Sequence, residues 1–324
     1  MAQNRRARSP RCHKSDPPDV IFTVRPERRE GVTDVAQLYT TYKPLLFSLA
    51  YRMVGTITDA EDMVQDTFLS LERTRTDEIH NIKAFLCRTL TNKCIDFLRR
   101  ARKQREVYVG PWLPEPLVLT SEEGDPVHEV MTHDRLSIAC LMLMESLSPT
   151  ERAVFVLREV LACDYREIAE LVGKTEANCR KIFSRVRQKL SHRLPDEPID
   201  YAQHEQLVER FLAAMRDGDA DTLLALLAEE VTLYSDGGGK VRAAIFPICT
   251  RERVLAFLLG VAKKTSAFRA GRMANVNGMP GLLCVRDNRL FAVMSCSVRC
   301  GRVEAIYLIL NPEKLRHVPA METT

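Results

Sequence analysis

Long apolar runs are missing from this 324-residue sequence. No stretch approaches the roughly 20 residues that cross a bilayer as a helix, so no membrane partner is expected. The N-terminus carries arginines but no apolar h-region. It is not read as a secretory signal, and a cytoplasmic location is expected. There is no CxxC pair. The ten cysteines (Cys12, Cys87, Cys94, Cys140, Cys163, Cys179, Cys249, Cys284, Cys296 and Cys300) are scattered and read as buried free thiols, not as a disulfide framework. Cys296 and Cys300 are four apart and Cys12 adjoins His13, yet neither makes a four-ligand zinc set. No metal and no cofactor is expected. The glycine triplet Gly237-Gly238-Gly239, between Asp236 and Lys240, lacks the spacing of a phosphate-binding loop and reads as a turn. Trp112 is the single tryptophan.

What is present is a helical, basic and segmented chain. Apolar content of 45% and charged content of 28% are ordinary for a globular protein, and the length calls for two or three domains. The net charge of +4 is modest. Its clustering at the N-terminus, around 99–105 and around 180–193, is the informative feature.

The segment 163–193 is the most informative. Asp164 with Glu167 three residues on makes a capping box, and Ile168, Ala169, Leu171 and Val172 give a short apolar face. Gly173 supplies the residue that takes φ > 0 after the last turn. Thr175 then caps a second helix, with Ala177, Ile182, Val186 and Leu190 expected inward. The two helices and their glycine turn read as a helix-turn-helix. Thr175, Glu176, Asn178, Arg180 and Lys181 fall on the side that faces base edges; Arg185, Arg187, Lys189 and Arg193 fall where phosphates lie. The plainer alternative is a solvated basic helix in an ordinary bundle.

In chain order, 1–33 reads as a disordered basic arm broken by Pro10, Pro17, Pro18 and Pro26. A helical module covers 34–106. Its first helix ends at Gly55. Thr58 and Glu61 read as a capping box for the second, which carries Asp59, Glu61, Asp62, Gln65 and Asp66 opposite an apolar stripe. Such an acidic face is either solvated or a protein-docking surface. A polar loop at 74–81 precedes a helix at 82–105, whose polar side holds Asn92, Lys93, Asp96, Arg99, Arg100, Arg102, Lys103 and Arg105. Residues 107–126, with four prolines, read as a linker, and Trp112 beside Leu113 is expected to dock on a neighbouring domain. A second helical module spans 127–194, with Ser148 to Glu151 a further capping box. After a linker at 195–200, residues 201–318 read as helices followed by an antiparallel sheet, with Asp236 to Lys240 at a hairpin tip; 319–324 is a tail.

Two basic helical modules give nucleic acid two footholds, and their sequences resemble a known family. DAEDMVQDTFL at 59–69 looks like the polymerase-binding helix of bacterial sigma factors, and IKAFLCRTLTNKCIDFLRR at 82–100 like the adjoining promoter helix. The segment 147–190 resembles the domain that reads the −35 element. WLPEP at 112–116, DGGGK at 236–240 and NPEKL at 311–315 are similar to the extracytoplasmic-function subfamily with a C-terminal SnoaL-like domain. In that family Asp commonly stands where Glu313 is, and Trp where Phe85 is. The resemblance implies a multidomain fold: an all-α sigma-2 bundle and an all-α sigma-4 helix-turn-helix, followed by an α+β cone of the NTF2-like class.

It also implies an alternative sigma factor without catalysis, whose partners are core RNA polymerase (β′ clamp and β flap) and promoter DNA. Asp59, Glu61, Asp62, Gln65 and Asp66 would dock on polymerase. Asn81, Asn92, Lys93, Asp96, Arg99, Arg100 and Lys103 would bind the −10 element, the loop 74–81 taking a flipped base. Thr175, Glu176, Asn178, Arg180, Lys181, Ser184, Arg185 and Arg187 would read −35. Trp112, Leu113, Pro114, Glu115, Pro116, Asp236, Gly237, Gly238, Gly239, Lys240, Asn311, Pro312, Glu313, Lys314 and Leu315 would form regulatory contacts between domains. Two alternatives stand beside this one. The first is a helix-turn-helix regulator that senses a small ligand in the cone. The second is a SnoaL-type cyclase or isomerase with a DNA-binding front, for which Asp236 and Asp287, both on turn tips and expected to be solvated, or His204 and His317, would have to serve.

Overall fold

The computed structural model describes residues 35–74, 79–119, 137–159, 161–191, 201–264, 271–287 and 289–318. The basic arm, the centre of the loop 74–81, the linker beyond 119, Arg193 and the segment 195–200 lie outside them, as does the side chain of Lys103.

Three helices come first: α1 (Val35–Val54), α2 (Ile57–Glu72) and α3 (Ile82–Arg105). Gly55 (φ 81°) ends α1. Asn81 starts α3, its Oδ1 accepting from the Ala84 amide at 3.0 Å. The expected capping box of α2 is absent. The helix begins one residue before Thr58, and the side chain of its N-cap residue, Thr56, bonds Asp59 and not a backbone amide.

Four further helices follow: α4 (Ile138–Met144), α5 (Pro149–Glu159), α6 (Tyr165–Val172) and α7 (Glu176–Ser191). The boxes expected here form. The Ser148 amide donates to Glu151 at 2.8 Å, and Asp164 and Glu167 cap α6 reciprocally. Gly173 takes φ 65° at the C-cap of α6, and Thr175 Oγ1 accepts from the Asn178 amide at 3.3 Å to open α7. The buried face of α7 is Cys179, Phe183, Val186 and Leu190. Ala177, expected inward, is exposed, because the helix phase that buries Val186 and Leu190 selects Cys179 and Phe183 one turn earlier. Helices α1–α3 and α4–α7 share one apolar core.

The C-terminal part contains α8 (Tyr201–Asp217), α9 (Ala220–Leu226) and α10 (Arg251–Lys264) on a seven-stranded sheet. Its strands are β1 (Val118–Leu119), β2 (Leu227–Asp236), β3 (Ile248–Cys249), β4 (Arg272–Val276), β5 (Met279–Arg286), β6 (Arg289–Arg299) and β7 (Arg302–Ile309), in the order β1-β4-β5-β6-β7-β2-β3. Two expectations change. The sheet is mixed, since β2 runs parallel to β7. And β1 belongs to the stretch read as a linker; it pairs antiparallel with β4, Val118 opposite Val276.

One sheet face packs on α8–α10 through Phe211, Leu223, Val254 and Met294. The other buries Val276, Leu283, Val293 and Ile309 under Leu113 of the linker and Ile138 of α4. Helix α4 is therefore apolar all round: Leu141 and Met144 enter the helical core, while Ile138, Ala139 and Met142 meet the sheet.

Candidate nucleic-acid interface and interdomain junction

Helix α7 presents Thr175, Glu176, Asn178, Arg180, Lys181, Ser184, Arg185 and Arg187 to solvent, all exposed. Arg180 forms an i,i+4 pair with Glu176 at 3.4 Å. On α3, Asn92, Asp96, Arg99 and Arg100 are exposed, with Asp96 and Arg99 paired at 2.9 Å. Lys93 lies 3.8 Å from Asp66, tying α3 to the acidic face of α2. Glu61, Asp62, Gln65 and Asp66 are exposed; Asp59 is half-buried. Arg105, assigned by pattern to the cationic side, turns inward. It pairs with Glu145, donates to the Val54 carbonyl at 3.1 Å, and places its guanidinium 3.7 Å from the centroid of Trp112. The fixed turn at Gly55 leaves that space: a Cβ there would stand 2.9 Å from Trp112.

Glu145 also accepts from Arg152 at 2.6 Å, and the Nε of Arg152, a fully buried side chain, donates to the Arg52 carbonyl at 3.0 Å. One carboxylate at the end of α4 thus joins a cation from α3 to a cation from α5.

The structure brings WLPEP, DGGGK and NPEKL together around Asp236. This residue was expected on a solvated hairpin tip. It is instead fully buried at the end of β2. Its Oδ1 accepts from the Tyr108 hydroxyl (2.7 Å) and the Gly238 amide (3.0 Å). Its Oδ2 accepts from the Leu113 amide (2.8 Å) and Lys314 Nζ (2.7 Å). Its own carbonyl takes the amides of Leu310 and Asn311.

Lys314 also donates to the Leu113 carbonyl and lies 4.2 Å from the Trp112 centroid. Burial holds its ammonium below the ordinary lysine range, against the pull of Asp236. Burial likewise raises the Tyr108 hydroxyl, as does its bond to Asp236. Asn311 donates to Tyr108 at 3.1 Å and sits so close over Gly238 (φ 58°) that no side chain fits there. Lys240 pairs with the exposed Glu313 at the rim.

A second cluster fastens the linker to α2. Glu115 Oε2 accepts from the Ile57 amide at 2.6 Å, supplying the cap that the helix's own residues do not. The Glu115 carbonyl accepts from Tyr51 (2.6 Å), whose oxygen accepts from Asn277 (2.7 Å). Asn277 then exchanges two bonds with Leu117. Burial raises the Glu115 carboxyl above its ordinary range. Sequence reasoning missed Tyr51, Tyr108, Glu145, Arg152 and Asn277. Only Tyr108 carried a signal, an aromatic beside the tryptophan in a stretch otherwise read as linker.

These contacts also bear on catalysis. With four donors on its carboxylate, Asp236 has no lone pair free for a substrate proton, and Asp287 stands exposed at a turn. His317 is exposed and contacts Thr58 at 2.8 Å. His204 is buried without a hydrogen-bond partner among the described residues. Burial pushes its imidazole down to about 4 from 6.5. The unfolded chain then takes up a proton that the fold refuses, so stability present above about pH 6.5 is lost as the pH falls towards about 4. His204→Leu, without that titration, should lose less melting temperature across this window; equal slopes for both proteins would refute the assignment.

Known proteins show the same organisation. The Sigma-70 region 2 family matches residues 38–104 and the Sigma-70 region 4 family residues 138–190. The ECF RNA polymerase sigma factor SigJ of Mycobacterium tuberculosis is 35% identical over 289 residues, covering 86% of this chain and 92% of that protein. The probable ECF sigma factor SigI of Mycobacterium tuberculosis is 29% identical over 283 residues, covering 87% and 94%. The crystal structure of the M. tuberculosis SigJ protein superposes with a TM-score of 0.74 at 32% identity, over 88% of this chain and 100% of that one. The described residues contain no helix long and apolar enough to cross a membrane. Two sigma regions, a SnoaL-like mixed-sheet domain behind them and a relative matched nearly end to end define the protein: it belongs to the extracytoplasmic-function family of RNA polymerase sigma factors, which direct promoter-specific transcription initiation and are not enzymes.

Proposed function

We propose that the C-terminal domain sets the activity of this sigma factor by holding the linker and, through it, the two sigma domains. The carrying observation is Asp236: a buried carboxylate of the sheet domain whose donors include two linker residues, Tyr108 and Leu113. In this reading Asp59, Glu61, Asp62, Gln65 and Asp66 dock on the β′ clamp, and region 4 meets the β flap. Asn81, Asn92, Lys93, Asp96, Arg99, Arg100 and Lys103 follow the −10 strand. Helix α7 reads −35 through Thr175, Glu176, Asn178, Arg180, Lys181, Ser184, Arg185 and Arg187, and the complex works in the cytoplasm. The loop 74–81 takes the flipped base. Exposure of the described polar side chains on α2, α3 and α7, all but the half-buried Asp59 and Lys93, supports these roles.

Point variants test the idea better than truncation, because cutting the chain before α8 would strip cover from Leu113, Ile138 and Met142. Run-off transcription with purified core polymerase should change for Trp112→Ala, which removes the ring between Arg105 and Lys314. An Asp62→Arg exchange on the exposed face of α2 should weaken core binding without altering the melting temperature. Unchanged transcription for Trp112→Ala would remove the regulatory role; unchanged core affinity for Asp62→Arg would remove the docking face.

A further inference from the structure

Tyr165 is the first residue of α6, at the head of the helix-turn-helix. Its ring is held before any DNA arrives. Phe183 meets it edge-on, with centroids 6.1 Å apart at 72°. The guanidinium of Arg158, itself tied to the Cys163 carbonyl at 2.7 Å, stands 4.9 Å from its centroid. The guanidinium of Arg180 stands 4.4 Å from the same centroid. Arg180 belongs to the exposed face of α7, with 61% of its side chain open to solvent, and Glu176 holds it from the turn before.

An exposed arginine normally samples many rotamers, and fixing it costs conformational entropy. Here a π-face and a carboxylate remove much of that freedom before binding. Preorganisation of this kind improves discrimination most where geometry matters most, in the two-bond contact of a guanidinium with guanine O6 and N7. A phosphate contact tolerates a wandering cation, whereas a base-edge fork does not.

We propose that Tyr165 is a positioning residue for promoter recognition. Its ring fixes the Arg180 guanidinium as the fork that reads a guanine in the −35 element, while Tyr165 itself touches no base. The inference rests on the reading of α7 as the −35 helix.

The test uses the full-length chain with core polymerase and a promoter selected by that holoenzyme from a library randomised at −35. Each −35 base pair is then substituted in turn. Arg180→Ala should flatten preference at one or two adjacent pairs. Tyr165→Leu keeps apolar volume but has no π-face, and should flatten the same pairs by about three- to fivefold. Tyr165→Phe, which keeps the face, retains the discrimination. In the Arg180→Ala background, Tyr165→Leu should add nothing.

The outcomes separate cleanly. If Arg180→Ala leaves every preference intact, Arg180 is no base-reading fork and the inference fails, while the −35 reading of α7 stands or falls separately on its other exposed residues. If Arg180→Ala flattens a pair but Tyr165→Leu weakens all pairs equally, with or without Arg180, then Tyr165 acts in packing alone and the inference is overturned.

Discussion

Replacing Asp236 with alanine should cost about 3–5 kcal/mol of stability, the cost of leaving a buried charge without its partner. Lys314 is the reason. Its side chain is 7% exposed and Asp236 is the carboxylate it pairs with among the described residues, so Asp236→Ala strands an ammonium against Leu113, Tyr108 and Trp112. The same change takes the acceptor from Tyr108 and from the amides of Leu113 and Gly238. Chemical denaturation measures the loss, and limited proteolysis locates it at 106–117. A second variant separates charge from shape. Asp236→Leu combined with Lys314→Met removes both charges and should recover part of the loss, because a pair replaced by apolar groups costs far less than one partner left alone. If the single variant loses less than about 1 kcal/mol, or the double is no better than the single, the pair does not hold the linker.

The second large effect is expected at Glu145. This carboxylate lies between Arg105 and Arg152, and the Arg152 side chain is 2% exposed. Glu145→Ala leaves Arg152 with the Arg52 carbonyl as its acceptor among the described residues. A loss of about 2–4 kcal/mol is expected, below the limit for a fully buried pair because Arg105 and Glu145 are each about one-fifth open to solvent. The loss should be local: α4 and α5 should exchange amide hydrogens faster, while α8–α10 keep their protection. Unchanged exchange in α4 and α5 would show that the shared apolar core alone joins the helical regions.

Much of this was legible in the chain because it is local. Asp164, Glu167, Gly173 and Thr175 specify where α6 stops and α7 starts within a dozen residues, and the structure places those caps as the sequence implies. Asp236 was misread for the complementary reason. The glycines after it do make a turn, with Gly238 and Gly239 at positive φ. Its burial, however, depends on Tyr108, 128 positions before it, and Lys314, 78 after it. The parallel pairing of β2 with β7 also leaves no local mark, since Leu227 meets Val303 across the intervening β3, α10, β4, β5 and β6. Arg105 looked like its cationic neighbours by spacing, and only the arrival of Glu145 and Trp112 distinguishes it. At α2 the failure was more instructive, because the cap comes from Glu115, outside any window in which a capping box is sought.

The single core shared by α1–α3 and α4–α7 has a thermodynamic consequence. Promoter elements at −35 and −10 stand about 85 Å apart along B-form duplex. Helix α3, with 24 residues, is about 36 Å long, and α6 packs directly against it. One such helix spans less than half of that distance. If engagement of both elements parts α1–α3 from α4–α7, it splits one hydrophobic interior into two and exposes apolar faces that the polymerase would have to cover. Such an exchange registers in calorimetry as a heat-capacity change on association smaller than rigid docking of the same area would give, because wetting and drying of apolar surface carry opposite signs.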